Sequence, residues 1–140
     1  MNTAFWAKVH GAATHFPIAL MLCSGVLDVT GFSIHTQPSA ANLRAAGYWT
    51  MLLAATGSVP AVASGLLMTN GSLIGHGALR LHHQFVWPAF GLLIGLATWR
   101  LLVERCVTRP MFAGYLVGMS LAGGLMAAAS YWGGEMMIAR

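Results

Sequence analysis

The chain of 140 residues is 57% hydrophobic and only 7% charged. A soluble domain usually carries roughly a quarter charged residues, so this composition excludes an ordinary water-soluble domain and indicates a protein solvated by lipid. The formal net charge is +4, but the seven basic residues are scattered between apolar runs and form no basic stripe. Nucleic-acid binding is therefore not expected.

The two cysteines add little to a prediction of function. Cys23 lies inside an apolar run and Cys106 follows another, so their different depths argue against a disulfide. Neither belongs to a C-x-x-C-H string, which argues against covalent c-type haem. No cleavable signal peptide is expected, because the first apolar run is long enough to stay in the membrane.

Four apolar runs approach the roughly 20 residues that a membrane-spanning helix needs. They predict helices over about residues 15–32, 48–68, 82–103 and 112–132. Backbone polar groups must be satisfied within lipid and the connections are short. We therefore expect an all-α integral membrane four-helix bundle with antiparallel up-down topology, as one transmembrane domain over residues 1–140. Residues 2–9 are expected to form a short interfacial segment, and Pro17 to lie in the first turn of the first helix.

The basic residues give the bundle a direction. The side of the N-terminus, here called side A, holds Lys8, Arg80 and Arg140, and the opposite side B holds Arg44, Arg100, Arg105 and Arg109. Cytoplasmic ends carry the excess of Lys and Arg, so side B is expected to face the cytoplasm. This predicts a multi-pass protein of the bacterial inner membrane with both termini in the periplasm.

Histidines cluster at side A. Five of the six fall there: His10, His15, His76, His82 and His83. Imidazoles in apolar helices need a partner, and two from different helices at one height can hold the iron of a b-type haem. His15 opens the first predicted helix and His82–His83 the third, so we expect His15 with His82 or His83 as metal ligands. His10 and His15 would diverge by about 140° on a continuous helix, so His10 is expected to be an extra ligand or a hydrogen-bond donor.

Two charged residues complete the predicted cofactor site. Arg80 is expected to meet haem propionates, because a fixed cation suits paired carboxylates. Glu135 is expected to take up a proton or to orient a histidine. An interfacial histidine can also simply anchor a helix end, so an absence of any cofactor stays open as an alternative.

Asp28 is a costly residue within the first predicted helix. It follows His15 by about 13 residues and therefore lies roughly 20 Å deeper, toward side B. A carboxyl group at that depth should be neutral or paired, and Arg44 or Arg100 is the expected partner. Either the pair ties helix ends together, or Asp28 belongs to a proton path or a quinone pocket.

Three stretches resemble the DUF2231 family of small bacterial membrane proteins. The first is His10-Gly11-Ala12-Ala13-Thr14-His15-Phe16-Pro17-Ile18-Ala19-Leu20 with Asp28 after it, the second is the third-helix histidine, and the third is Gly133-Gly134-Glu135. Gly11 stands where the family usually has proline, and the residues after Glu135 lack a histidine that is common there. The resemblance covers nearly the whole chain. It implies four membrane helices and links His10, His15, His82 or His83, and Glu135 as one set.

Together these features predict a b-type cytochrome-like subunit that relays electrons between a periplasmic redox partner and quinone. Haem b is the expected cofactor, with quinone as a second ligand, and any enzymatic activity would belong to a larger oxidoreductase complex. The expected partners are membrane lipid, other membrane or periplasmic redox subunits, and further copies of the chain. Two alternatives stay open: a cofactor-free accessory subunit of a larger membrane complex, and a membrane protein that binds copper or zinc.

Overall fold

The computed structural model describes residues 2–103 and 107–138, the last two of these by their backbone alone. Most of them form four helices: α1 (Thr3–Ser33), α2 (Ser39–Met68), α3 (Gly77–Val103) and α4 (Arg109–Ile138). All four are long and apolar enough to cross a bilayer, so the all-α four-helix fold is confirmed and the chain is a multi-pass membrane protein. Arg105, Cys106 and Arg140, which entered the topology and disulfide predictions, lie outside the described residues.

The helices begin earlier than hydropathy predicts. Asn2 caps α1, because its side-chain oxygen accepts a hydrogen bond from the backbone N–H of Phe5 at 3.1 Å. Residues 2–9 therefore do not form a separate interfacial segment, and Pro17 lies inside α1 rather than in its first turn. The expected start of the helix was wrong because hydropathy marks only its most apolar stretch, whereas the helix itself begins at the Asn2 cap. That Phe5 and Trp6 lie in the headgroup region stays a prediction.

The helices pack as two antiparallel hairpins. The first hairpin pairs α1 with α2, the second pairs α3 with α4, and the hairpins meet through α1–α4 and α2–α3 contacts. The up-down topology is therefore confirmed. Met21, Met51 and Leu93 are fully enclosed between the helices. The outer surface stays apolar, with Leu102 80% exposed and Val117 69% exposed, which suits contact with lipid chains.

The burial pattern of the first hairpin recurs in the second. Residues at corresponding positions of α1 and α3, and of α2 and α4, are buried to a similar extent. The pairs are His10 and His82, Met21 and Leu93, Asp28 and Arg100, Met51 and Met119, Ala54 and Ala122, Ala61 and Ala129, and Gly65 and Gly133. The burial pattern of α1 and α2 therefore recurs in α3 and α4, and α1 and α3 run in the same direction.

A buried ion pair joins the two hairpins toward side B. Asp28 of α1 and Arg100 of α3 are both buried, and Nη1 of Arg100 donates to Oδ2 of Asp28. The Tyr115 hydroxyl donates to the same carboxylate oxygen at 3.2 Å, and Nη2 of Arg100 donates to the backbone carbonyl of Arg44 at 3.2 Å. Arg100 is thus an ionic partner of Asp28, and Arg44 contributes its backbone carbonyl to this contact.

Gly47 allows α2 to approach Asp28 closely. A Cβ added there would collide with Oδ1 of Asp28 and would lie 2.9 Å from its Cγ and 3.3 Å from the Ser24 carbonyl oxygen. We expect Gly47→Ala to lower the free energy of unfolding by about 1–3 kcal/mol, because overpacking forces α1 and α2 apart. Thermal unfolding in detergent measures this loss. Gly124→Ala is the matched control, since its Cβ would meet open space, and equal Tm values for the two variants would contradict the close approach.

Candidate functional site

A cavity of about 590 Å³ lies among the four helices at side A. Cofactor and small-molecule pockets usually measure roughly 300–1,000 Å³, so the cavity has the volume of a ligand site. Apolar side chains such as Ile18, Val86 and Phe90 form most of its wall. The polar groups that converge on it include four imidazoles, from His10, His15, His82 and His83. The predicted cluster of histidines therefore shares one cavity, which all four helices line.

His10 is anchored on the neighbouring helix α2. Its Nδ1 lies 2.9 Å from the carbonyl oxygen of Ala61 and 3.3 Å from Oγ of Ser64. A carbonyl oxygen only accepts hydrogen bonds, so Nδ1 carries the proton and Nε2 of the neutral ring is left as an acceptor. Gly65 makes room for the ring, because an added Cβ would lie 3.0 Å from Cε1 of His10.

His82 is anchored in the same way on α4. Its Nδ1 lies 2.7 Å from the carbonyl oxygen of Ala129, and Gly133 lies beside its ring as Gly65 lies beside His10. Both rings line the same cavity. His10 and His82 therefore occupy matching positions on the two hairpins, each with Nδ1 at a carbonyl oxygen and Nε2 left as an acceptor. The distance along the chain is 51 residues from His10 to Ala61 but 47 residues from His82 to Ala129, so no common sequence spacing predicts these two contacts.

His83 differs from both of these residues. It is only 7% exposed, it lines the cavity, and its Nδ1 has no hydrogen-bond partner within the described part of the chain. Its ring centroid lies 5.8 Å from that of His82 and 6.1 Å from that of Trp87. The Trp87 indole N–H donates to the carbonyl of Leu73 at 2.8 Å, which ties the α2–α3 loop to α3.

The other predicted site residues have more exposed positions. His15 lines the cavity but is exposed, and it lies on the same continuous helix as His10, so the two side chains leave that helix in different directions. Arg80 is exposed in the first turn of α3, and Glu135 is half-buried near the end of α4. Neither belongs to the cavity wall that the described residues form. Backbone carbonyls, rather than Glu135, orient His10 and His82.

Fold and site together define a class: a multi-pass membrane bundle of two hairpins with an imidazole-lined cavity between them. Comparisons with protein-family models, curated proteins and solved structures give no match. The resemblance to DUF2231 therefore stays a prediction.

Proposed function

We propose that the cavity binds one b-type haem, with His10 and His82 as its axial ligands. The observation that carries the proposal is the matched pair of imidazoles on the two hairpins, each with its Nδ1–H directed at a carbonyl oxygen. A metal-ligating histidine commonly donates its second ring nitrogen in this way, which fixes the ring and raises its basicity. Two such rings from different helices are a ligand set of b-type haem.

The chemistry of the available donors also favours haem over a bare metal ion. Among residues 2–103 and 107–138, no group of three or more His, Cys, Asp or Glu side chains is close enough to hold a metal. A haem iron takes four ligands from its porphyrin and needs only two from the protein. The apolar wall of the cavity suits the face of a porphyrin.

The proposed role is electron relay between a periplasmic redox partner and membrane quinone. A bound haem would supply one-electron chemistry, and the chain's own residues would hold it, orient it and keep water away. With both termini in the periplasm, side A lies at the outer face of a bacterial inner membrane, within reach of both partners. Arg80 would meet the propionates. Glu135 would exchange a proton when quinone reacts, because quinone chemistry couples protons to electrons.

Visible spectroscopy tests the haem proposal directly. After haem-replete expression, the purified protein should be red and should show a reduced-minus-oxidised difference spectrum, with one haem b per chain by pyridine haemochrome analysis. After the protein has been reduced and the dithionite removed, an oxidised short-chain quinone should reoxidise it. A colourless preparation would contradict the proposal and favour a cofactor-free accessory subunit. Copper or zinc at one equivalent without iron would favour the metal-binding alternative.

A further inference from the structure

His83 is a buried polar residue that has no counterpart side chain in the first hairpin. Its equivalent in the first hairpin is Gly11, so the second half of the bundle carries an imidazole where the first half has no side chain. Its Nδ1 is enclosed without a hydrogen-bond partner among the described residues, although it lines the cavity. Buried polar atoms in native structures are nearly always paired, so a partner is expected from whatever fills the cavity.

The charge of the surroundings indicates what that partner is. The described residues that line the cavity include four histidines and no Asp or Glu. Asp28 lies toward the opposite side of the bundle, where it pairs with Arg100. Arg80 precedes His83 by three residues on α3, so the two share one helix face, with Arg80 exposed and His83 buried. This arrangement provides donors and positive charge that suit a carboxylate on the ligand.

We propose that His83 donates a hydrogen bond to a propionate of the bound haem and does not ligate the iron. The inference rests on the proposed haem site and adds a specific role within it. Consecutive residues on a helix point about 100° apart, so His82 and His83 do not present their rings to one iron from the same side. With Arg80 nearer to water, the propionate would extend along this face of α3 from the cavity toward side A.

Two forms of the porphyrin separate this role from iron ligation. Purified apoprotein is titrated with iron protoporphyrin IX and with its dimethyl ester, which lacks the carboxylates. We expect H83L to weaken binding of the free diacid by roughly 10- to 100-fold, the effect of one hydrogen bond to a charged group, and to leave binding of the ester unchanged. H83Q should restore much of the affinity, because its side-chain amide also donates.

Each variant is compared with the wild type for the same porphyrin, so that different partitioning into detergent cancels. H76L is the matched control, since His76 is exposed in the α2–α3 loop and both porphyrins should bind it as they bind the wild type. H83F, which keeps a ring at this position, replaces H83L if the leucine variant does not fold. Equal weakening for both porphyrins, no weakening, or loss of the low-spin spectrum would overturn the role of His83. If the wild type binds neither porphyrin, the haem proposal itself fails.

Discussion

Replacing either His10 or His82 with alanine should abolish the low-spin, six-coordinate spectrum of the haem, and replacing both should leave the chain without haem. The two rings occupy equivalent positions on the hairpins, and each is held by one carbonyl oxygen, at 2.9 Å and 2.7 Å respectively. We therefore expect the two single variants to lose a similar amount of haem affinity, at least about tenfold each. Removing only the hydrogen-bond partner of a metal ligand already costs that much.

Glutamine variants make the test of the axial ligands sharper. His10→Gln and His82→Gln keep a donor toward the carbonyl oxygens of Ala61 and Ala129 but supply no imidazole to iron. They should insert and fold like the wild type and still lose the low-spin spectrum. His15→Ala is the matched control, because His15 lines the same cavity from an exposed position. A normal spectrum in His10→Gln together with a lost spectrum in His15→Ala would assign the first axial ligand to His15.

The second large effect concerns the ion pair between the hairpins. Arg100→Leu should lower the free energy of unfolding by about 3–5 kcal/mol, because it leaves the buried Asp28 carboxylate without its cation. Arg100 is 4% exposed, and it also donates to the Tyr115 hydroxyl at 3.1 Å and to the Arg44 carbonyl. The loss is measured by thermal unfolding in detergent. The two hairpins of this variant should also associate more weakly, and faster proteolytic cleavage of the α2–α3 loop would report this.

A double variant separates the charge from the volume of these side chains. Asp28→Leu with Arg100→Leu should recover most of the stability, since replacing both members of a buried pair by apolar residues is often neutral or stabilising. Arg44→Leu provides the control at the same end of the bundle: Arg44 is exposed, so its side chain should contribute less than about 0.5 kcal/mol. If the double variant were as unstable as Arg100→Leu alone, the charge of Asp28 would not be the cause of the loss.

Local properties of the chain were sufficient to predict the architecture. Hydropathy and run length are read from neighbouring residues, and they gave four helices, their antiparallel order and a cluster of histidines at one end. Helix starts were missed because the helices extend beyond their most apolar stretches: α1 begins at Thr3, behind the Asn2 cap, and α2 begins at Ser39. The partner of Asp28 stayed open between Arg44 and Arg100, because depth in the membrane does not fix which side chain turns toward the carboxylate.

By itself, therefore, the sequence determined that the chain is a membrane bundle and that its imidazoles gather at side A. Only the tertiary structure decided which histidines are equivalent. The direction of a side chain around its helix and the nearest carbonyl of the next helix depend on how helices pack, and helix packing is not a local property. Packing anchors His10 and His82, leaves Nδ1 of His83 without a partner among the described residues, and places Arg100 against Asp28.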